Sequence, residues 1–393
     1  MRLLYILLLL LFPLFVKAQE DSTLIHKNKV WINSSLQALY HNGYVFPTND
    51  FLRGTNIEAT RINAFQTFSL KFSTQTTGDK LWQQLYKYPN WGIGVSVIDF
   101  HNPEEIGVPL AFYGFFNAPF KRWQKVSFNY EMGFGATFNW KSFNPVNNKY
   151  NIAIGAGVSF QIDAGLNLHY NLTNRIELVS GFSLTHYSNG ALKKPNFGIN
   201  TIAPEVGLKY NFYDRPAFHK QEVPIFIKKN EWLFSAFGGA KNVIFDSVNI
   251  DIREKYEGVF FPVFGISTTY NRQISYMSKI GAGMTFSYDG SVNAQIAVDK
   301  NELDPVDSPL SDKIQISIYP SYELVIDKLS VIIQPAFYIY RKNFKDQSPV
   351  FHQRIGIKYH ISDNIFAGIT LRDYSFHISD FIEWNLGFRI HRH

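Results

Sequence analysis

The chain has 393 residues, of which 36 are Phe, 22 Tyr and 7 Trp, while charged residues make up only 18% and cysteine is absent. An apolar share of 46% excludes a disordered chain, and the missing thiol excludes disulfide staples, thiolate metal sites, a cysteine nucleophile and a lipoprotein anchor. The formal net charge of +6 is scattered, with no basic run able to track a phosphodiester backbone, so nucleic acid is not an expected partner.

Met1 and Arg2 precede an apolar run from Leu3 to Val16, and a small residue, Ala18, follows Lys17. This pattern predicts a secretory signal peptide over residues 1–18. Its removal leaves 36 basic and 32 acidic residues, so the mature chain is close to charge-balanced.

Beyond the leader the sequence alternates with a period of two. Val126, Phe128, Tyr130, Met132, Phe134, Ala136, Phe138 and Trp140 share one face, and Lys125, Ser127, Asn129, Glu131, Thr137 and Asn139 the other. The segment 151–171 repeats the pattern, with Ile152, Ile154, Phe160, Ile162, Leu166, Leu168 and Tyr170 on its apolar side. Alternation alone suits either a soluble sandwich or a membrane barrel. Strands of this length with aromatic ends match a bilayer-crossing strand of about 9–11 tilted residues, which predicts an antiparallel transmembrane β-barrel in the outer membrane.

Strand segments are predicted near 30–40, 58–74, 91–100, 105–117, 124–140, 151–171, 174–188 and 199–213. After a polar, Pro-containing stretch a second series follows near 231–240, 257–271, 274–288, 313–326, 329–342, 350–361, 364–376 and 380–391. Eight and eight predict an all-β chain of two tandem eight-stranded barrels, occupying 24–213 and 231–393, with 214–230 as a periplasmic connector. One sixteen-stranded barrel with an aqueous channel is the alternative. The second half reads as a degenerate copy of the first, since Tyr170-Asn171-Leu172-Thr173-Asn174-Arg175-Ile176 is echoed by Tyr359-His360-Ile361-Ser362-Asp363-Asn364-Ile365. In the first half Lys125, Glu131, Asp163, His169, Arg175, Glu177, Glu205 and Lys209 share the polar parity and are expected to plug the lumen.

The most specific local pattern is Thr185-His186-Tyr187-Ser188-Asn189, a short loop, then Pro195-Asn196-Phe197-Gly198-Ile199-Asn200. His186 and Ser188 share parity with Ile176, Leu178, Phe182 and Leu184, so both fall on the lipid-facing side of one strand, about 6–7 Å apart. An imidazole within rotation of a hydroxyl is what activating a serine requires. Asn200 has the same outward parity on the following strand, and Glu205 points inward with Lys209. No metal-ligand spacing or phosphate-binding glycine loop is present, and no cofactor is implied.

This H-x-S-N…P-N-x-G stretch resembles the lipid A 3-O-deacylase (PagL) family of outer-membrane barrels. Trp82, Tyr86, Pro89 and Gly92, Asn102-Pro103 with Gly107, Asn144-Pro145, Asn147 to Gly155, and the terminal Asp380-Phe381-Ile382-Glu383-Trp384 are similar to its longer, acyloxyacyl hydrolase-like members. The resemblance implies a serine esterase removing an ester-linked acyl chain from lipopolysaccharide in the outer leaflet. It further implies Ser188 as nucleophile, His186 as general base, and Asn189, Asn196 and Gly198 as the loop that holds the oxyanion. Lys193 and Lys194 are candidate contacts to lipid A phosphates.

One position departs from the family. An acidic residue fourteen places after the histidine completes its triad, and here that position is Asn200, which can fix a histidine's tautomer but adds no charge. In the second half, Asp373 and Phe376 stand where His186 and Asn189 stand in the first, so that half is expected to be catalytically silent. The competing classes are a catalytically inactive structural or lipid-binding barrel and a porin-like channel.

Overall fold

The structure is a computed structural model that describes residues 32–242, 250–256, 258–344, 349–374 and 378–392. The expected signal peptide and Phe376 lie outside the described residues. Alternating side chains and β-branched or aromatic content give sixteen strands. The first eight are β1 (Ser34–Val45), β2 (Ala64–Gln75), β3 (Asn90–Asp99), β4 (Gly107–Arg122), β5 (Val126–Trp140), β6 (Ser159–Asn171), β7 (Ile176–Ser188) and β8 (Ile199–Asn211). The second eight are β9 (Asn230–Asn242), β10 (Phe260–Ser275), β11 (Ser278–Asp289), β12 (Ile314–Ile326), β13 (Leu329–Tyr340), β14 (Phe351–His360), β15 (Ile365–Tyr374) and β16 (Ile378–Arg392). Short helices occupy loops: α1 (Asp50–Arg53), α2 (Leu81–Leu85), α3 (Ile250–Tyr256), α4 (Val292–Asp299) and α5 (Leu310–Lys313).

Every neighbouring pair is antiparallel, β8 closes on β1, and β16 closes on β9. The chain therefore forms two closed eight-stranded barrels, and the sixteen-stranded alternative does not form. Closure follows from the solvent, because a strand edge in hydrocarbon would leave N–H and C=O groups unsatisfied.

Parity sorts the side chains as the sequence suggested. On β3 Trp91, Ile93, Val95 and Val97 are exposed on the outer wall, while Ser96 between them is buried. The first lumen is filled by a polar network. Lys71 pairs with Glu131, Asn117 donates to Glu131 and to Asn167, and Asn167 donates to Glu205. Glu205 points inward, with His41 Nδ1 at 3.6 Å, and pairs with neither Lys209 nor Arg175. Arg175 instead pairs with Asp214 at the rim, and Lys125 is exposed, so these two leave the predicted plug. They sit in strand-to-strand turns, where parity no longer binds them to the lumen.

The second lumen is equally full. Glu383 takes Arg354 and Arg372, both at 2.7 Å, and Glu323 takes Lys279 at 3.2 Å and Lys358 at 2.5 Å. Charges packed at these distances occupy the space a conducting pore would need, so the porin-like reading has no channel to use.

Two predicted strands are shortened, the one expected over 58–74, where β2 starts at Ala64, and the one expected over 151–171. Residues 151–158 are irregular, and β6 starts at Ser159. Asn151 turns the chain by accepting from the Ile154 N–H at 3.2 Å and donating to the carbonyls of Glu105 and Lys141. Ile154, expected on the lipid side, is instead fully buried in an apolar cap with Phe51, Leu52, Phe100, Trp140 and Tyr187 at one mouth of the first barrel. That mouth carries the β7–β8 loop.

The connector 212–229 has no regular structure, but both barrels hold it. Phe218 stacks on Tyr88 at 4.4 Å, and the Tyr276 hydroxyl donates to Pro224 O at 3.2 Å.

Removing Glu383 would strand two buried guanidinium groups. Glu383→Ala is expected to destabilise the protein by about 3–5 kcal/mol, read by urea unfolding in lipid vesicles. An unfolding midpoint equal to that of the unaltered protein would contradict the assignment of this cluster as the plug.

Candidate active site at the β7–β8 loop

The last turns of β7 place three consecutive side chains by alternation alone. Tyr187 points inward and is buried edge-on against Phe100 at 5.9 Å and Trp140 at 5.6 Å. Anchored there, it leaves His186 and Ser188 on the outer wall, one residue to either side. In the β7–β8 register His186 stands opposite Asn200. The two side chains meet, with His186 Nδ1 at 2.6 Å from Asn200 Oδ1. An amide oxygen only accepts, so Nδ1–H donates and the neutral ring keeps its lone pair on Nε2. Among the described residues, the Ser188 hydroxyl and the imidazole are not hydrogen-bonded to each other; such bonds commonly close only once substrate is bound.

Gly198 has a role that its sequence pattern did not disclose. Its φ is +73°, and a Cβ built there would lie 2.8 Å from His186 Cε1 and 3.0 Å from Tyr187 O. The glycine is the floor on which the imidazole lies. Its N–H donates to Ala153 O at 2.9 Å and its carbonyl accepts from Asn49 Nδ2 at 3.1 Å, so Gly198 has no backbone donor open to an oxyanion.

The loop between the strands is tied to itself and to the irregular segment 151–158. The Asn189 N–H donates to Asn196 Oδ1 at 3.0 Å, and Asn189 Nδ2 donates to Lys193 O at 2.7 Å. Phe197 N–H donates to Ile152 O at 3.1 Å. A Cβ on Gly155 would lie 2.2 Å from Lys193 O and 2.4 Å from Pro195 O, so only glycine permits this approach. With Oδ1 engaged, Asn196 Nδ2 is left buried with no partner inside the protein, and so is Asn189 Oδ1. An unmatched buried donor in the loop that directly follows Ser188 is one of the groups an oxyanion site requires.

Lys193 is exposed, as a phosphate contact would need. Lys194 is not free in that sense. Burial pulls its ammonium below the usual lysine range, with Asp380 of the second barrel opposing that shift and Lys241 adding to it. Its partner field is therefore the second barrel, a placement no local pattern could have revealed. The sequence reading also missed Asn49 and the carbonyls of Ile152 and Ala153. The Asn- and Gly-rich run from Asn147 to Gly155 was the available signal, but its alternating isoleucines imitate a strand.

Residues 66–209 match the family model described as lipid A 3-O-deacylase (PagL), and residues 230–392 match the model described as acyloxyacyl hydrolase, C-terminal domain. Among solved structures, the outer membrane enzyme PagL aligns at 21% identity over 44% of this chain and 97% of its own, with a TM-score of 0.29. The Acinetobacter baumannii outer membrane protein Omp33 aligns at 9% identity over 92% of this chain and 100% of its own, with a TM-score of 0.17. CdiB from Escherichia coli aligns at 10% identity over 91% of this chain and 63% of its own, with a TM-score of 0.21. Comparison with curated proteins finds no match. One family model falls on each barrel, and the chain belongs to the PagL-like, acyloxyacyl hydrolase family of outer-membrane β-barrels.

Proposed function

We propose that this protein is an outer-membrane serine esterase that removes an ester-linked acyl chain from lipid A. The observation that carries the reading is the 2.6 Å hydrogen bond from His186 Nδ1–H to Asn200, which leaves Nε2 basic on the face that also bears Ser188. In this mechanism Ser188 Oγ attacks the ester carbonyl while Nε2 takes its proton. The carbonyl oxygen becomes an oxyanion that receives the unpaired Asn196 amide N–H, and the sugar hydroxyl leaves with the proton from Nε2. Water then releases the fatty acid from Ser188 by the same steps, with His186 again as base.

Location supports the substrate class. Signal-directed export of the N-terminal leader would leave the N-terminus in the periplasm, so that β7 runs outward and ends among the lipids of the outer leaflet. Ser188 itself is buried, and along the same outward face of β7 the exposed Phe182 and Leu184 offer an acyl chain an apolar surface leading to it. Exposed Lys193 is the better placed of the two loop lysines to meet a lipid A phosphate.

The test is mass spectrometry of lipid A from cells with and without the protein. Loss of one acyl chain is expected with the unaltered protein, and Ser188→Ala or His186→Ala should lower the rate by at least about 10³-fold. Identical lipid A in all strains, with expression confirmed, would instead favour an inactive lipid-binding barrel.

Two further substitutions probe the geometry. Asn200→Asp keeps the shape and adds the charge that stabilises an imidazolium, so turnover should rise, by roughly tenfold or more. Gly198→Ala sets a Cβ against His186 Cε1 at a φ of +73°, and turnover should fall by about 10²-fold while the barrel stays folded by electrophoretic heat-modifiability.

A further inference from the structure

The second barrel touches the first at the loop that carries the site. Gly190, with φ +62°, follows Asn189 directly, and a Cβ built on it would lie 2.9 Å from Ile382 Cδ1, 3.2 Å from Ile382 Cγ1 and 3.7 Å from Leu371 Cδ1. Ile382 and Leu371 lie on β16 and β15, near the hairpin that joins them. The loop and the second barrel are thus in apolar contact at Gly190.

Exposure along the walls marks where this seam lies. On the outward face of β7, Phe182 and Leu184 are 61% and 51% exposed, whereas Ser188 and the following Asn189 fall to 7% and 0%. On β16 Trp384 and Leu386 are freely exposed, but Ile382 on the same face is half-buried. At the opposite end the Tyr86 hydroxyl donates to Val325 O at 2.8 Å, a second point of contact between the barrels. Contacts at both ends fix the relative tilt of the two walls as well as their separation.

The seam is one peptide away from the site's chemistry. Asn189 holds Asn196 Oδ1 through its N–H and Lys193 O through its amide, so a displacement of Gly190 is carried into the Asn196 side chain. We propose that the second barrel is a positioning element for the esterase site: Ile382 and Leu371 buttress Gly190 and so hold the Asn196 amide where it receives the oxyanion. This rests on the esterase reading given above. It assigns a task to the half of the chain in which Asp373 stands where His186 stands in the first.

The experiment compares full-length wild type, Ile382→Ala/Leu371→Ala, the conservative Ile382→Val, and Ser188→Ala, each checked for two folded barrels by heat-modifiability. Two quantities are read: kcat and KM on lipid A in mixed micelles, and the rate at which trypsin cuts after Lys193, which reports the loop's hold without needing activity. The next bond, Lys194–Pro195, resists trypsin, so the fragment is unambiguous. The double variant is expected to lose about 10- to 100-fold in kcat with KM within about twofold, and to be cut several-fold faster. Ile382→Val should recover most of both. Unchanged cleavage in the double variant, or faster cleavage with kcat retained, overturns the positioning role while leaving the esterase reading intact. A wild type that leaves lipid A as untouched as Ser188→Ala does overturns the esterase reading and this role with it.

Discussion

A strand in hydrocarbon has no water to satisfy its peptide groups, so each sheet here must close on itself, and closure commits every residue to the wall or to the lumen. The rest of the molecule depends on that commitment. It puts Tyr187 into the apolar cap, where Phe100 and Trp140 clamp it, and thereby turns His186 and Ser188 outward with no further device. It also sets Asn200 opposite His186, because antiparallel register across one hairpin leaves each residue a single partner. A one-residue slip of β8 would exchange Asn200 for a residue facing the lumen and dismantle the pair.

The same closure creates an obligation inside. Eight strands enclose too little volume for bulk water, so charged side chains there must satisfy one another. The first lumen meets this with Glu131, which takes Lys71 and Asn117, and the second with carboxylates shared between cations: Glu323 between Lys279 and Lys358, and Glu383 between Arg354 and Arg372. These networks stiffen the walls on which the outer site is mounted. They also explain why Glu205, although close in sequence to Asn200, is unavailable to His186: it is held in the lumen by His41 and Asn167.

What could be read from the sequence follows from which constraints are local. Strand parity repeats every two residues, so all sixteen strands, the outward set His186, Ser188 and Asn200, and the division into two eights were legible. The motif loop was legible as a motif but not as geometry. Gly198 looked like a turn residue and possible oxyanion donor, yet its N–H is taken by Ala153, and its bare α-carbon makes room for the imidazole. Both facts depend on chain segments more than ten residues away. Residues 151–158 misled for the opposite reason: Ile152 and Ile154 keep the period of a strand, while Asn151 and Gly155 impose a turn and a close approach that periodicity does not register.

The asparagine at position 200 makes sense in terms of where it stands. A carboxylate on the outer wall near hydrocarbon would bring a desolvation cost, compensated only when the ring beside it is protonated. Asparagine avoids that standing cost and still supplies an acceptor for Nδ1–H, so the tautomer is fixed at all times. What it gives up is attraction for the imidazolium formed during attack. On the proposed mechanism, that loss shifts the demand for charge stabilisation to the other developing charge, the oxyanion, and so to the placement of Asn196. A site that relies on one amide donor gains from a loop that cannot drift, and here the loop is held from inside by Ile152 and Ala153 and pressed from outside by Ile382. On that reading the second barrel answers the demand that the neutral orienter creates.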